Sequence, residues 1–144
     1  MPIAAAAVAF TLGMFTHSIL PSQADTETLK PGIFHVPDLF QGSLPQVMPG
    51  VNVKTLAEAE TADVAIVEIS SVAAHTHNGS NEFVYVVSGT GTGAINGKPA
   101  TLGPGDLIVL PKGTPHWIKA TTGTIKLLAF ESPPLAKDDM HFTK

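Results

Sequence analysis

A chain of 144 residues, 44% of them hydrophobic, can bury one core and is too short for two ordinary domains. The formal net charge of −4, spread without a basic cluster, argues against nucleic acid and anionic lipid as partners. All eight basic residues are lysines and there is no cysteine, so the bidentate arginine fork is missing and any metal must be held by imidazole and oxygen.

Residues 1–24, MPIAAAAVAFTLGMFTHSILPSQA, carry no acidic or basic side chain and centre on an apolar run from Ile3 to Phe15. That run is short for a membrane span and suits the core of a secretory signal peptide. Small residues at Ser22 and Ala24, followed by the onset of charge at Asp25, place cleavage after Ala24 and the mature protein in the periplasm or outside the cell. No Lys or Arg precedes the apolar run, and an uncleaved anchor or a buried N-terminal segment is the alternative. His17 falls within this segment.

Residues 25–50 read as an extended N-terminal arm, because Pro31, Gly32, Pro37, Gly42, Pro45, Pro49 and Gly50 break any long helix. From Val51 to Lys144 the pattern is that of a single all-β domain. Strands are expected at Val51–Leu56, Val64–Ile69, Phe83–Val87, Thr92–Ile95, Leu107–Leu110, His116–Ala120 and Ile125–Phe130. They are separated by turn signals such as Asn78-Gly79, Asn96-Gly97, Gly103-Pro104-Gly105 and Thr122-Gly123. Short strands at this spacing make a sandwich or barrel. Only Thr55–Thr61 has a helix-favouring composition, and it is too short to form a layer.

The chemistry concentrates in two blocks. In His75-Thr76-His77 the imidazoles stand two residues apart, which on a strand gives them one face. Polar Asn78 to Asn81 can turn the chain, and Glu82 can return a carboxylate to the same point. In Gly105 to Trp117, the turn residues Pro111, Gly113 and Pro115 deliver His116 at the start of a strand. A His-x-His pair alone is weak evidence, whereas three histidines and one glutamate in this register make a metal site. If Glu82 faces inward, alternation sends Val84 and Val86 inward too and turns Phe83, Tyr85 and Val87 out. Ile118 likewise follows His116 inward while Trp117 faces out. Val84, Val86 and Ile118 are thus expected to line an aliphatic pocket, and Phe83, Tyr85 and Trp117 to serve a second layer or a homodimer interface. Tyr85 is directed away from the metal. His35 and His141 lie outside both blocks and read as ordinary surface or packing residues.

The two blocks resemble the two motifs of the cupin superfamily, and in particular those of small single-domain bacterial members. H-x-H-x4-E-x6-G is matched by His75, His77, Glu82 and Gly89, and G-x5-P-x-G-x2-H by Gly105, Pro111, Gly113 and His116. Two family positions differ, a glycine replaced by Ile69 and an asparagine by Ala120, which distances the chain from the plant germin-type members. The resemblance covers Val51 to Glu131 and implies a double-stranded β-helix, a jelly-roll-like barrel with the metal inside and a dimer outside.

With His75, His77, Glu82 and His116 as ligands, an octahedral first-row dication keeps two adjacent positions open for a chelating substrate beside water or dioxygen. The ligand types admit Mn, Fe(II), Co, Ni, Cu and Zn, and the resemblance favours Mn or Fe(II). The expected function is metal-dependent, dioxygenase-type chemistry on a small apolar or chelating molecule, with Glu82 also a possible base. A non-catalytic cupin that binds metal or a small ligand is the alternative, and a sugar isomerase, epimerase or lyase is a third, disfavoured by the missing arginines.

Overall fold

A computed structural model describes residues 31–143, which carry strands and one short 3₁₀ turn, Val36–Phe40. The expected export segment, and the extracytoplasmic location inferred from it, lie outside the described residues. Among those residues no helix is long and apolar enough to cross a membrane.

Eleven strands form two antiparallel sheets. The larger runs in the order β1 (Gln46–Met48), β2 (Val51–Glu58), β3 (Asp63–Ile69), β10 (Ile125–Ser132), β5 (Asn81–Ser88), β8 (Leu107–Leu110). The smaller runs β11 (His141–Phe142), β4 (Ser71–Thr76), β9 (His116–Ala120), β6 (Gly91–Ile95), β7 (Lys98–Leu102). Chain neighbours are often not sheet neighbours, as expected when a jelly roll winds its chain between two faces. The all-β, double-stranded β-helix architecture is therefore present.

Side-chain alternation builds the core between the sheets. On β10, Ile125, Leu127, Ala129 and Glu131 are buried in strict alternation, and on β5 Val84 and Val86 are buried between exposed Phe83 and Tyr85. Gly89 closes β5 at φ +83°, where a Cβ would lie 2.7 Å from the Thr124 carbonyl oxygen. That position is open to glycine because a side chain would be both strained and blocked.

Several elements differ from the expectation. Thr55–Glu58 continues β2 instead of turning helical, since Thr55, Ala57 and Glu58 pair with Ala65, Val64 and Asp63 across a bulge. Ladder pairing outweighs the helix preference of a few residues. β7 lies outside the expected strands; it is the edge of its sheet, where Pro99 is tolerated. β4 was not expected because its pattern is interrupted by a register shift between Val72 and His75.

The arm is more than a wrap. β1 pairs with β2, and Phe40 and Leu44 pack on Ile66 to form a second apolar cluster on the outer face of the larger sheet. The other part of that face is open: Phe83, Tyr85, Leu107, Val109 and Phe130 are all exposed there. Trp117 lies on β9 of the other sheet and is half-buried, so it is not part of this patch.

Ile66 is fully buried beneath the arm. Ile66→Ala is expected to destabilise the fold by about 2–5 kcal/mol, read as a lower urea midpoint with an unchanged slope.

Candidate metal centre and its cavity

β4 ends at Thr76, so His75 belongs to the strand while His77 stands one residue beyond it. His116 opens β9 and is the cross-strand partner of His75, which brings their ring centroids to 4.2 Å. The His77 ring lies 5.0 Å from that of His75 and 5.5 Å from that of His116. All three side chains are buried and offer ring nitrogens within 4.8 Å of one another. Glu82, at the start of β5 in the opposite sheet, brings Oε2 to 3.5 Å from His77 Nε2 and 3.4 Å from His116 Nε2.

Where the ring protons sit follows from the hydrogen bonds. Nδ1 of His75 contacts the Ala73 carbonyl at 2.8 Å, Nδ1 of His77 the Asp139 carbonyl at 2.7 Å, and Nδ1 of His116 the Thr114 carbonyl at 3.0 Å. A carbonyl only accepts, so each Nδ1 carries a proton, and in a neutral ring Nε2 keeps the lone pair. Burial drives the His75 and His116 pKa values below the ordinary imidazole value, His116 to about 4, against an opposing pull from the Ala73 and Thr114 carbonyls. Oε2 of Glu82 is buried with no hydrogen-bond donor. With neutral rings and an ionised Glu82 the Nε2 and Oε2 lone pairs would converge, an arrangement that suits a cation. The three buried histidines can hold a divalent metal, and imidazole with oxygen is a donor set for first-row ions.

The centre opens into a cavity of about 510 Å³. Val84 and Ile118 line it as expected from alternation, whereas Val86, fully buried, packs in the core and does not border it. Val86 lies one pleat further along β5 than Val84, where the facing apolar side chains fill the interior. The wall is not simply aliphatic. Asp63 and Glu131 also line it, both more than nine-tenths buried. Glu131 is paired with Asp63 on one side and with Glu82 on the other, so three carboxyl groups stand in a row across β3, β10 and β5. Burial, reinforced by the hydrogen bond to Asp63 and the negative charges of Asp63 and Glu82, pushes Glu131 up to about 9. Burial also raises Glu82, although the nearby His77 opposes the rise. Asp63 Oδ2 accepts the Leu135 N–H at 3.1 Å, while Oδ1 has no donor of its own.

Asp63 and Glu131 escaped the sequence reading although the signal was present. Alternation from Ile125, Leu127 and Ala129 places Glu131 inward, and the same rule applied to Ala65 and Ile69 places Asp63 there. Asp139 carried no comparable signal, because 62 residues separate it from the His77 it touches. His35 is exposed beside Asp38, and His141 is half-exposed with Nε2 3.2 Å from Asp139 Oδ1.

Residues 65–131 match the family model of the cupin domain. No curated protein matches the sequence. Among solved structures, KdgF from Halomonas sp. is 25% identical with a TM-score of 0.62 over 76% of this chain and 98% of that one. The nucleoside dehydratase Pac13 from Streptomyces is 20% identical, TM-score 0.58, covering 66% of this chain and 79% of its own. The cupin domain of Schizosaccharomyces pombe Cnp3 is 14% identical, TM-score 0.59, over 65% and 70% of the two chains. The fold and its two motifs are those of a cupin domain, matched over residues 65–131.

Opposite pH dependences follow for the metal-free barrel. His75 and His116 have depressed folded values, so the unfolded chain binds more protons from pH 6.5 down to about 4, and stability falls as pH falls through that window. Glu131 has a raised value, so its contribution is fully present below its ordinary 4.5 and is lost as pH rises through about 9. Glu131→Gln, which cannot ionise, should melt a few degrees above metal-free wild type at pH 9 and show no such gain at pH 4.5. Calorimetric scans across this range check both limbs.

Proposed function

We propose that this cupin binds one divalent first-row metal, Mn or Fe(II) foremost, through His75, His77, His116 and Glu82. In this reading it carries out proton-transfer chemistry on a small uncharged molecule bearing hydroxyl groups. The observation that carries the chemistry is the carboxyl pair Asp63–Glu131 lining the same cavity as the histidines. A bound metal would polarise a carbonyl or hydroxyl oxygen of the substrate. The remaining work falls to the chain. One carboxyl of the pair can accept a proton from carbon while the other delivers one to a departing or rearranging oxygen, and the pair ends each cycle holding the same number of protons.

Substrate charge follows from the lining. Three buried carboxyl groups and a single lysine, Lys137, exposed at the mouth, disfavour a dicarboxylate or phosphate and accommodate hydroxyls, which can donate to carboxylate oxygens. Lyase and isomerase chemistry thereby gains over the expected dioxygenase reaction, and the missing arginines cease to count against it for uncharged substrates. A nucleoside dehydratase uses the same fold. Dioxygenase chemistry remains the second reading, favoured by the apolar remainder of the wall, including Leu110, Val84 and Ile118, which would shelter a reactive site from water.

The two readings separate in one experiment. Metal-loaded protein is incubated with panels of neutral sugars and nucleosides in D2O, with NMR detection of carbon-bound deuterium and an oxygen electrode in parallel. Deuterium incorporation without oxygen uptake is expected, together with at least a hundredfold loss of turnover but retained metal in Glu131→Gln. Stoichiometric oxygen uptake would establish the second reading instead.

The open apolar patch of Phe83, Tyr85, Leu107, Val109 and Phe130 supports a homodimer formed by this face, since aromatic surface of this kind is costly to leave in water. Light scattering at micromolar concentration should give twice the monomer mass, and Tyr85→Lys with Val109→Lys should halve it.

A further inference from the structure

The three histidines are not held in the same way. His75 and His116 donate Nδ1–H to carbonyls two residues upstream in their own segments, Ala73 and Thr114. Each ring is therefore oriented once its own strand has formed. His77 lies past the end of β4, and its Nδ1 donates instead to the Asp139 carbonyl, 62 residues further along the chain. The side chain of the same residue clamps the backbone beyond His77: Oδ1 accepts the Asn78 N–H at 2.7 Å and Oδ2 the Gly79 N–H at 2.8 Å. Gly79 leaves room for this, because a Cβ there would come within 3.0 Å of Oδ2. From the other side, the His77 carbonyl accepts the Gly113 N–H at 2.7 Å.

The segment that bears Asp139 is docked along its length. Its Leu135 N–H donates to Asp63, and His141 and Phe142 pair with Thr76 and His75. The Thr143 N–H donates to the Ala74 carbonyl at 2.9 Å. Leu135, Ala136 and Met140 border the cavity. These residues lie beyond residue 131, where the cupin family model ends.

We propose that Asp139 is a positioning residue for the metal centre, and that docking of the segment 133–143 and binding of a divalent metal through His77 form one coupled event. The inference rests on the reading of His77 as a metal ligand. Without the clamp the loop after Thr76 loses two charge-assisted bonds, and the main-chain carbonyl of residue 139 that accepts from His77 Nδ1 is no longer held against it, while the other two rings stay oriented. Partners of this kind are worth 10–100-fold in metal affinity when removed. Linkage is reciprocal, so metal must stabilise the docked segment by the same factor.

Cobalt(II) tests this through its visible absorption bands and through competition with a chromophoric chelator. Asp139→Ala is expected to bind cobalt about 10–100-fold more weakly than wild type with an altered band pattern, and Asp139→Asn, which keeps one acceptor oxygen, to recover part of both. Asp106→Ala is the control. Asp106 accepts the Gly103 N–H at 2.8 Å in an exposed turn, so its loss should leave cobalt affinity and spectrum unchanged. In wild-type protein, cobalt should slow hydrogen exchange at the Asp139 and Thr143 amides, a measurement that decides the matter if Asp139→Ala does not fold. Equal affinity and an identical spectrum in folded Asp139→Ala, or unchanged exchange in wild type, would overturn the coupling. A wild-type protein that binds no cobalt would overturn the metal reading itself, and the inference with it.

Discussion

Strand β10 is the constraint on which the site depends. It lies between β3 and β5, and its register sets Glu131 opposite Asp63 on one edge and opposite Glu82 on the other. Because a strand's side chains alternate, a slip of one residue in β10 would send Glu131 to the opposite face, away from Asp63 and Glu82, and bring Phe130 inward. The buried series Ile125, Leu127 and Ala129 prevents the slip, since those residues fill the core between the sheets. Apolar packing thus fixes the position of buried polar groups that would be unfavourable by themselves.

The opposing sheet supplies the complement. β4 and β9 bring His75 and His116 side by side, and the carbonyls that take their Nδ1 protons leave the nitrogen lone pairs converging. The barrel interior therefore holds a cluster of imidazole nitrogens on one wall and a row of carboxyl groups on the other. Both are sheltered by hydrocarbon, which strengthens their mutual electrostatic influence. Without a cation, the neutral imidazoles and the raised Glu82 and Glu131 values are the responses available to such a site.

Much of this was legible because periodicity and spacing are local properties. His75, His77, Glu82 and His116 converge as their motif spacing indicates, and Val84 and Ile118 face the cavity as alternation requires. Val86 obeys the alternation yet misses the cavity, because parity gives the face and says nothing about depth along the strand. Thr55–Glu58 pairs with β3 despite its helix-favouring composition, because short-range composition is silent about the partner strand. Asp139 was invisible for a stricter reason: its partners Asn78 and Gly79 are about sixty residues away, and a single aspartate near a chain's end has no pattern to mark it.

The outer face of the larger sheet is divided between two fates. Phe40 and Leu44 of the arm cover Ile66, while Phe83, Tyr85, Leu107, Val109 and Phe130 are left uncovered. Were the arm to lift, the two apolar areas would join into one greasy plane ending at the edge strand β8, whose free backbone groups can template another strand. The arm lies N-terminal to the barrel and so emerges first during synthesis, before the sheet it shields exists. By covering Ile66, Phe40 and Leu44 keep that plane from extending across the whole outer face.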